Sequence, residues 1–161
     1  VGVPVDSSYV MRVLGHDVEV LVASPELAEA LHVQSPRDLN DVPWIMHAGP
    51  FGGSQHFVRP DTGETCDVAW SPMVHASNST MMRLLAMRGL GFLVIPTYAI
   101  VEDLAAGRLV RILAPWERRR LVLQAIMPSR PHPRRRTVML EALVAEARGI
   151  AQVVQAALVP P

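Results

Sequence analysis

The stretch Asp17 to Ala23, DVEVLVA, places the strongest constraint on how this chain can fold. It is rich in β-branched residues and almost continuously apolar. It therefore reads as a strand buried on both faces, as parallel sheets require. Ser24-Pro25-Glu26 follows at once. The serine can cap a helix, and a proline at the first helical position lacks only an N–H that would be unpaired anyway. Leu27, Ala28 and Leu31 supply that helix with an apolar face.

The same alternation continues along the chain. Ser35-Pro36-Arg37-Asp38 repeats the start signal, with an acid three residues after the cap, and predicts a short helix. Pro43 to His47 is the next expected strand. Ala48 to Ser54 is a loop, because its glycines and proline disfavour regular structure. Gln55 to Arg59 and Glu64 to Trp70 read as two short strands around an Asp61-Thr62-Gly63 turn. Met73 to Ala76 is a further strand, and Ser77-Asn78-Ser79-Thr80 then caps a helix to about Arg88, stopped by Gly89. Gly91 to Ile95 is a buried strand. Pro96-Thr97 starts a helix ending near Gly107, and Leu109 to Leu113 and Leu121 to Met127 are the last strands. Leu140, Leu143, Ala147, Ile150, Val154 and Leu158 form one stripe on a C-terminal helix. Strands alternating with helices predict a mainly parallel sheet with helices on both faces.

Composition narrows the function classes. The chain has 161 residues, 50% of them hydrophobic and 19% charged, enough for a globular core. Formal net charge is zero, whereas a freestanding nucleic-acid binder usually carries a basic excess. All 15 basic residues are arginine. Arg118-Arg119-Arg120 and Arg134-Arg135-Arg136 read as solvated surface rather than as a nucleic-acid patch. Cys66 is the single cysteine, so an intramolecular disulfide is excluded and a buried, inert thiol is expected. No signal peptide opens the chain and no run approaches about 18 apolar residues. A soluble, cytoplasmic domain with no membrane partner is the expectation.

Enzymatic patterns fare poorly. The six histidines lack the spacing of a metal site, so neither metal nor cofactor is expected. Ser54 with His56 is the one nucleophile–base candidate, but the final glycine of a nucleophile elbow is missing. Gly89-Leu90-Gly91 precedes a strand, the wrong context for a dinucleotide fingerprint, and without lysine there is no P-loop. Two binding features remain. In the loop Gly49 to Gln55, adjacent glycines let backbone N–H groups converge, with Ser54 and Gln55 adding side-chain donors. At Ser77 to Thr80, a helix start offers unpaired N–H groups that suit a carboxylate. Both follow expected strands, and ligands in open α/β sheets settle beyond the strands' carboxyl ends. That shared location allows one joint pocket; the alternatives are a plain flexible connection at the loop and ordinary capping at the helix start.

These segments resemble a known family. Asp6-Ser7-Ser8, Leu14-Gly15 and Val22-Ala23-Ser24-Pro25 are similar to the segment linking the two subdomains of LysR-type effector domains. Ser35 to Leu39, Arg88-Gly89-Leu90-Gly91-Phe92-Leu93-Val94-Ile95-Pro96, Asp103 to Val110 and Met127-Pro128-Ser129-Arg130 resemble later segments in the family's order and spacing. The resemblance covers Val1 to about Ala147.

It implies a periplasmic-binding-protein-like type II α/β fold with Rossmann-like subdomains. Residues 17–121 would form the complete second subdomain. Residues 1–16 and 122–158 would be the crossing segments and part of the first, whose other half lies outside the sequence. By position, the resemblance implies effector contacts from Pro50, Phe51, Gly52, Gly53, Ser54 and Gln55, from Ser77, Asn78, Ser79 and Thr80, from Pro96, and, more weakly, from His16. The implied function is non-catalytic sensing of a small-molecule effector, with a carboxylate as a candidate, by a homo-oligomeric transcriptional regulator. DNA would be bound only through a segment absent from this chain. The alternatives are a freestanding solute-binding protein of the same fold, or a serine hydrolase using Ser54 and His56.

Overall fold

A computed structural model describes residues 9–48, 54–70, 72–128 and 133–158. The buried strand predicted from DVEVLVA is the last part of a longer one, β1 (Tyr9–Ala23). Ser24 then caps α1 (Pro25–Leu31), its Oγ accepting the Leu27 N–H at 3.3 Å. A 3-10 turn spans Pro36–Asp41, where the Asp38 carboxylate reaches back to the N–H groups of Gln34 and Ser35 at 3.0 and 2.8 Å. Those two backbone bonds hold the Asp38 carboxyl below its ordinary range. β2 (Trp44–His47), β3 (Ser54–Val58), β4 (Thr65–Ala69) and β5 (Pro72–Ala76) come next, then α2 (Ser79–Met87) and β6 (Phe92–Pro96). A 3-10 turn at Thr97–Ala99 leads to α3 (Val101–Ala105), β7 (Val110–Arg111), β8 (Arg120–Pro128) and α4 (Pro133–Leu158).

The chain divides into two compact units. One is Val18–Arg120; the other takes the chain up to Asp17 and from Leu121 onward. In the first unit the strands run in the order β5-β2-β6-β1-β7; β8, which from Leu121 onward belongs to the second unit, pairs with β1. β2 is parallel to β5 and to β6, but β1 is antiparallel to both β6 and β7. The sheet is therefore mixed, which corrects the mainly parallel expectation. Burial on both faces makes a strand apolar whichever way it runs; direction is set by the connections, which composition does not report.

Each face has its own cover. α2 packs on β2, β5 and β6. The β3–β4 hairpin lies in a separate two-stranded sheet, with Phe57 opposite Cys66 and Gln55 opposite Val68. Its buried Phe57 and Val68 join Leu21, Leu39, Trp44, Met46, Phe92 and Trp116 in one cluster. Trp44 is fully buried and donates its indole N–H to the Leu39 carbonyl at 3.0 Å. Val58 and Glu117 exchange two backbone bonds of 2.8 Å, which fasten the hairpin to the segment before β8. Cys66 is half-buried and packs against the cluster.

The turns keep their sequence logic. Gly63 and Gly89 have φ of +73° and +72°, a region that costs other residues strain. Gly91 is needed for space: a Cβ there would stand 2.8 Å from the Pro43 carbonyl oxygen, which accepts the Phe92 N–H.

A single carboxylate fixes the helices. Asp103 is completely buried and is bonded by Arg83 through two nitrogens, and by Arg108 Nε at 2.8 Å. The Arg83 hydrogen bond, helped by Arg108 and opposed by burial, lowers the Asp103 pKa.

In the second unit, α4 buries Leu140, Ala147 and Val154, whereas Leu143 and Ile150 are substantially exposed. Among the described side chains, which do not include Leu158, the apolar stripe is thus narrower than the sequence predicts: only positions seven apart stay on the covered line.

Two outcomes follow. Gly91→Ala should destabilise the chain by about 1–3 kcal/mol in urea melts, because backbone must move to admit the methyl. Asp103→Asn should cost about 2–3 kcal/mol, more than Arg108→Ala, whose guanidinium is half in water. Because the folded pKa of Asp103 is lowered, its contribution is complete above the unfolded value of about 3.9 and is lost as pH falls through the folded value. Acid melts of Asp103→Asn should accordingly show a shallower loss of stability than wild type.

Candidate functional site

The last three residues of β2, Ile45, Met46 and His47, line a cavity of about 260 Å³ in the Val18–Arg120 unit. Successive strand residues point to opposite faces. Both faces of the sheet therefore contribute to the wall: Ile45 with Met82 of α2, and Met46 with Val94 of β6, Gln55 of β3 and Trp70. A space that both faces reach has to lie over the strand ends. Glu19, Arg118 and Arg119 complete the described wall.

Apolar Ile45, Met46, Met82 and Val94 share the wall with polar or charged Glu19, His47, Gln55, Arg118 and Arg119, and placed polar groups of this kind are what orient a small molecule in its site. Gln55 is 3% exposed and its Oε1 has no hydrogen-bond partner. The Trp70 indole N–H is likewise buried and unpartnered. Its ring meets Trp44 edge to face, centroids 5.5 Å apart, so a buried neighbour sets its orientation. Glu19 and Arg118 form an ion pair and cancel each other's charge. Their segments are also joined through the backbone, Glu19 N–H donating to the Arg119 carbonyl at 2.9 Å.

Of the residues expected to bind an effector, Gln55 alone is in this wall among those described. Pro50, Phe51, Gly52 and Gly53 lie outside the described residues. Ser54 is exposed at the start of β3, on the opposite face of the hairpin from Gln55. Ser77, Asn78, Ser79 and Thr80 are exposed around the start of α2. Asn78 Oδ1 accepts the Met81 N–H at 2.8 Å, so it caps its own helix. Pro96 ends β6, half-buried and opposite Glu19 in register. His16 is exposed and belongs to the other unit.

The hydrolase pair is not assembled. His56 Nδ1 bonds Asp67 Oδ1 across the hairpin at 2.8 Å, both side chains more than half exposed, but no hydrogen bond joins it to Ser54. Among the described residues no group of three His, Cys, Asp or Glu could hold a metal ion, and no helix is long and apolar enough to cross a membrane.

The sequence reading missed Glu19, Met82, Trp70 and the two arginines. Three consecutive arginines, Arg118 to Arg120, read as solvated surface, and Glu19 is one of two acids in the stretch Asp17 to Ala23. A Trp just past an alternating strand was the one available signal.

A mixed sheet with a helix on one face and a hairpin on the other, and a cavity over its strand ends, defines an α/β domain of the ligand-binding kind. The profile of the LysR substrate binding domain matches residues 1–148, and the chain belongs to that family. It is 30% identical over 133 residues to the HTH-type transcriptional regulator PtxR of Pseudomonas aeruginosa, covering 80% of this chain and 41% of PtxR. The chain thus spans about two fifths of that relative's length. Among solved structures it matches the regulatory domain of AphB from Vibrio vulnificus, treated with cumene hydroperoxide, with a TM-score of 0.72 and 26% identity over 87% of this chain and 70% of that one. The CrgA regulatory domain of Neisseria meningitidis shares the fold, with a TM-score of 0.75 and 23% identity over 91% of this chain and 72% of that one. The fold is the periplasmic-binding-protein-like type II α/β fold of these domains.

Capping and ligand contact at α2 separate by experiment. Asn78→Ala should lower stability by about 0.5–2 kcal/mol with no ligand present, whereas Ser77→Ala should stay within about 0.5 kcal/mol of wild type in the same melts.

Proposed function

We propose that this chain is the effector-sensing part of a cytoplasmic LysR-type transcriptional regulator, and that the cavity beside Gln55 is its own share of the effector site. The observation behind this reading is a buried amide oxygen with no partner in the cavity wall. An unsatisfied buried acceptor costs about 1–3 kcal/mol. A bound molecule that donates to it recovers that cost.

Sensing needs no bond to be made or broken. An effector that binds one arrangement of the regulator better than another shifts their populations by its difference in affinity. DNA would be bound by a segment outside this sequence, and the regulator would work as a homo-oligomer paired through this domain. Residues 17–121 act in this reading as the second effector subdomain. Family membership supports each of these points, as does the HTH-type description of PtxR.

The test is a thermal melt of the chain against a library of small metabolites. A true effector at about 100 times its Kd adds about 2.7 kcal/mol, a rise of roughly 5–10 °C for a chain of this size. Gln55→Leu should remove that rise. No shift with any compound, together with no change around Gln55 in amide NMR spectra, would sink the effector reading.

A further inference from the structure

We infer that the cavity reads a hydroxyl group, and that its preferred occupant is a compact hydroxy-carboxylate. This deepens the proposed effector role and rests on it. Gln55 lies opposite Val68 in the hairpin, and Trp70 follows Val68 by two residues. Gln55 and Trp70 are therefore diagonal neighbours on the buried face, at a spacing of roughly 7–8 Å between backbones. Side chains at that spacing are within reach of each other, and both line the same cavity. One brings an unpartnered acceptor, Gln55 Oε1, and the other an unpartnered donor, the Trp70 indole N–H.

A hydroxyl is the small group that satisfies both, donating its hydrogen to the amide oxygen and accepting from the indole. A carboxylate only accepts and a protonated amine only donates, so each would satisfy one of them. Hydrogen-bonding groups built into a wall also reject analogues that lack the matching group, because the wall is then left unpaired.

Charge defines the other end of the ligand. Glu19 is cancelled by Arg118. Arg119 lines the same cavity, is exposed, and its side chain has no partner among the described residues. Among Glu19, Arg118 and Arg119 the uncompensated charge is thus one cation at the solvent side, in a wall that also holds His47, and it suits a carboxylate. Between the two ends the wall is Ile45, Met46, Met82 and Val94. An apolar cavity of about 150 Å³ accepts benzene, so this space has room for a single ring with its substituents.

The experiment is calorimetric titration of the chain with meta- and para-hydroxybenzoate, benzoate and phenol, on wild type, Gln55→Met, Trp70→Phe and Arg119→Ala. At least one hydroxybenzoate should bind at least tenfold more tightly than benzoate. Gln55→Met and Trp70→Phe should each collapse that ratio toward one. Arg119→Ala should weaken hydroxybenzoate and benzoate alike and leave phenol unchanged. Both wall variants delete an unsatisfied polar atom, so their ligand-free melting temperatures should hold or rise; a purely structural role predicts a fall.

Equal binding of benzoate and hydroxybenzoates overturns the hydroxyl assignment, as does a ratio that survives both wall variants, in which case the orphan atoms hold a water. If the panel fails while a library compound binds beside Gln55, this chemistry is wrong and the effector reading stands. If neither binds, both fall.

Discussion

The Asp103 carboxylate is the interaction on which the helical side of the larger unit depends. It is fully buried, and a buried charge is tolerable only when paired and hydrogen-bonded. Arg83 meets that need from α2 and Arg108 from the approach to β7. The Asp103 backbone carbonyl also accepts the N–H groups of Arg108 and Leu109, at 2.9 and 3.3 Å. Two other segments of chain are thus tied to one residue of a five-residue helix too short to be stable alone. Met82, which lines the cavity, is the neighbour of Arg83 in α2. The position of that wall is consequently set by a charge that never touches the cavity.

The hairpin side is held differently. Phe57 and Val68 are inserted into the cluster around Trp44, and two short backbone bonds join Val58 to Glu117. Packing and backbone pairing fix the depth of the hairpin, and the strand alternation then decides which residues face inward. Gln55 is inside because Phe57 is. Ser54 and His56 are outside for the same reason, and with them the one pair that resembled catalytic machinery. A shift of one residue in register would exchange the two sets.

Local features were legible in the sequence because their causes are local. Ser24 with Pro25, Asp38 reaching back to Ser35, the Asp61-Thr62-Gly63 turn and the stop at Gly89 each depend on residues within four or five positions. The family pattern, spread over many such features, was legible too. Strand direction was not, since β1 meets β6 across some seventy residues of intervening chain. Nor was the Glu19–Arg118 pair, whose members are 99 residues apart. Only the fold brings them together, and without it Arg118 is one of three consecutive surface arginines. The site suffered most for this reason. The glycine-rich loop and the helix start that the sequence points to stand out by composition, whereas Met46, Trp70, Met82 and Val94, which line the cavity, look like any other core residues.

Trp70 has an optical consequence. The chain holds three tryptophans; Trp44 and Trp116 are buried in the hydrophobic cluster, and Trp70 alone borders the cavity. Indole emission responds to polarity and hydrogen bonding at the ring nitrogen, and only Trp70 would sense these change as the cavity fills. Its edge-to-face contact with Trp44 is short enough for excitation to pass between the rings. Occupancy of the cavity is thereby written into the chain's own fluorescence, and the protein needs no attached dye to report it.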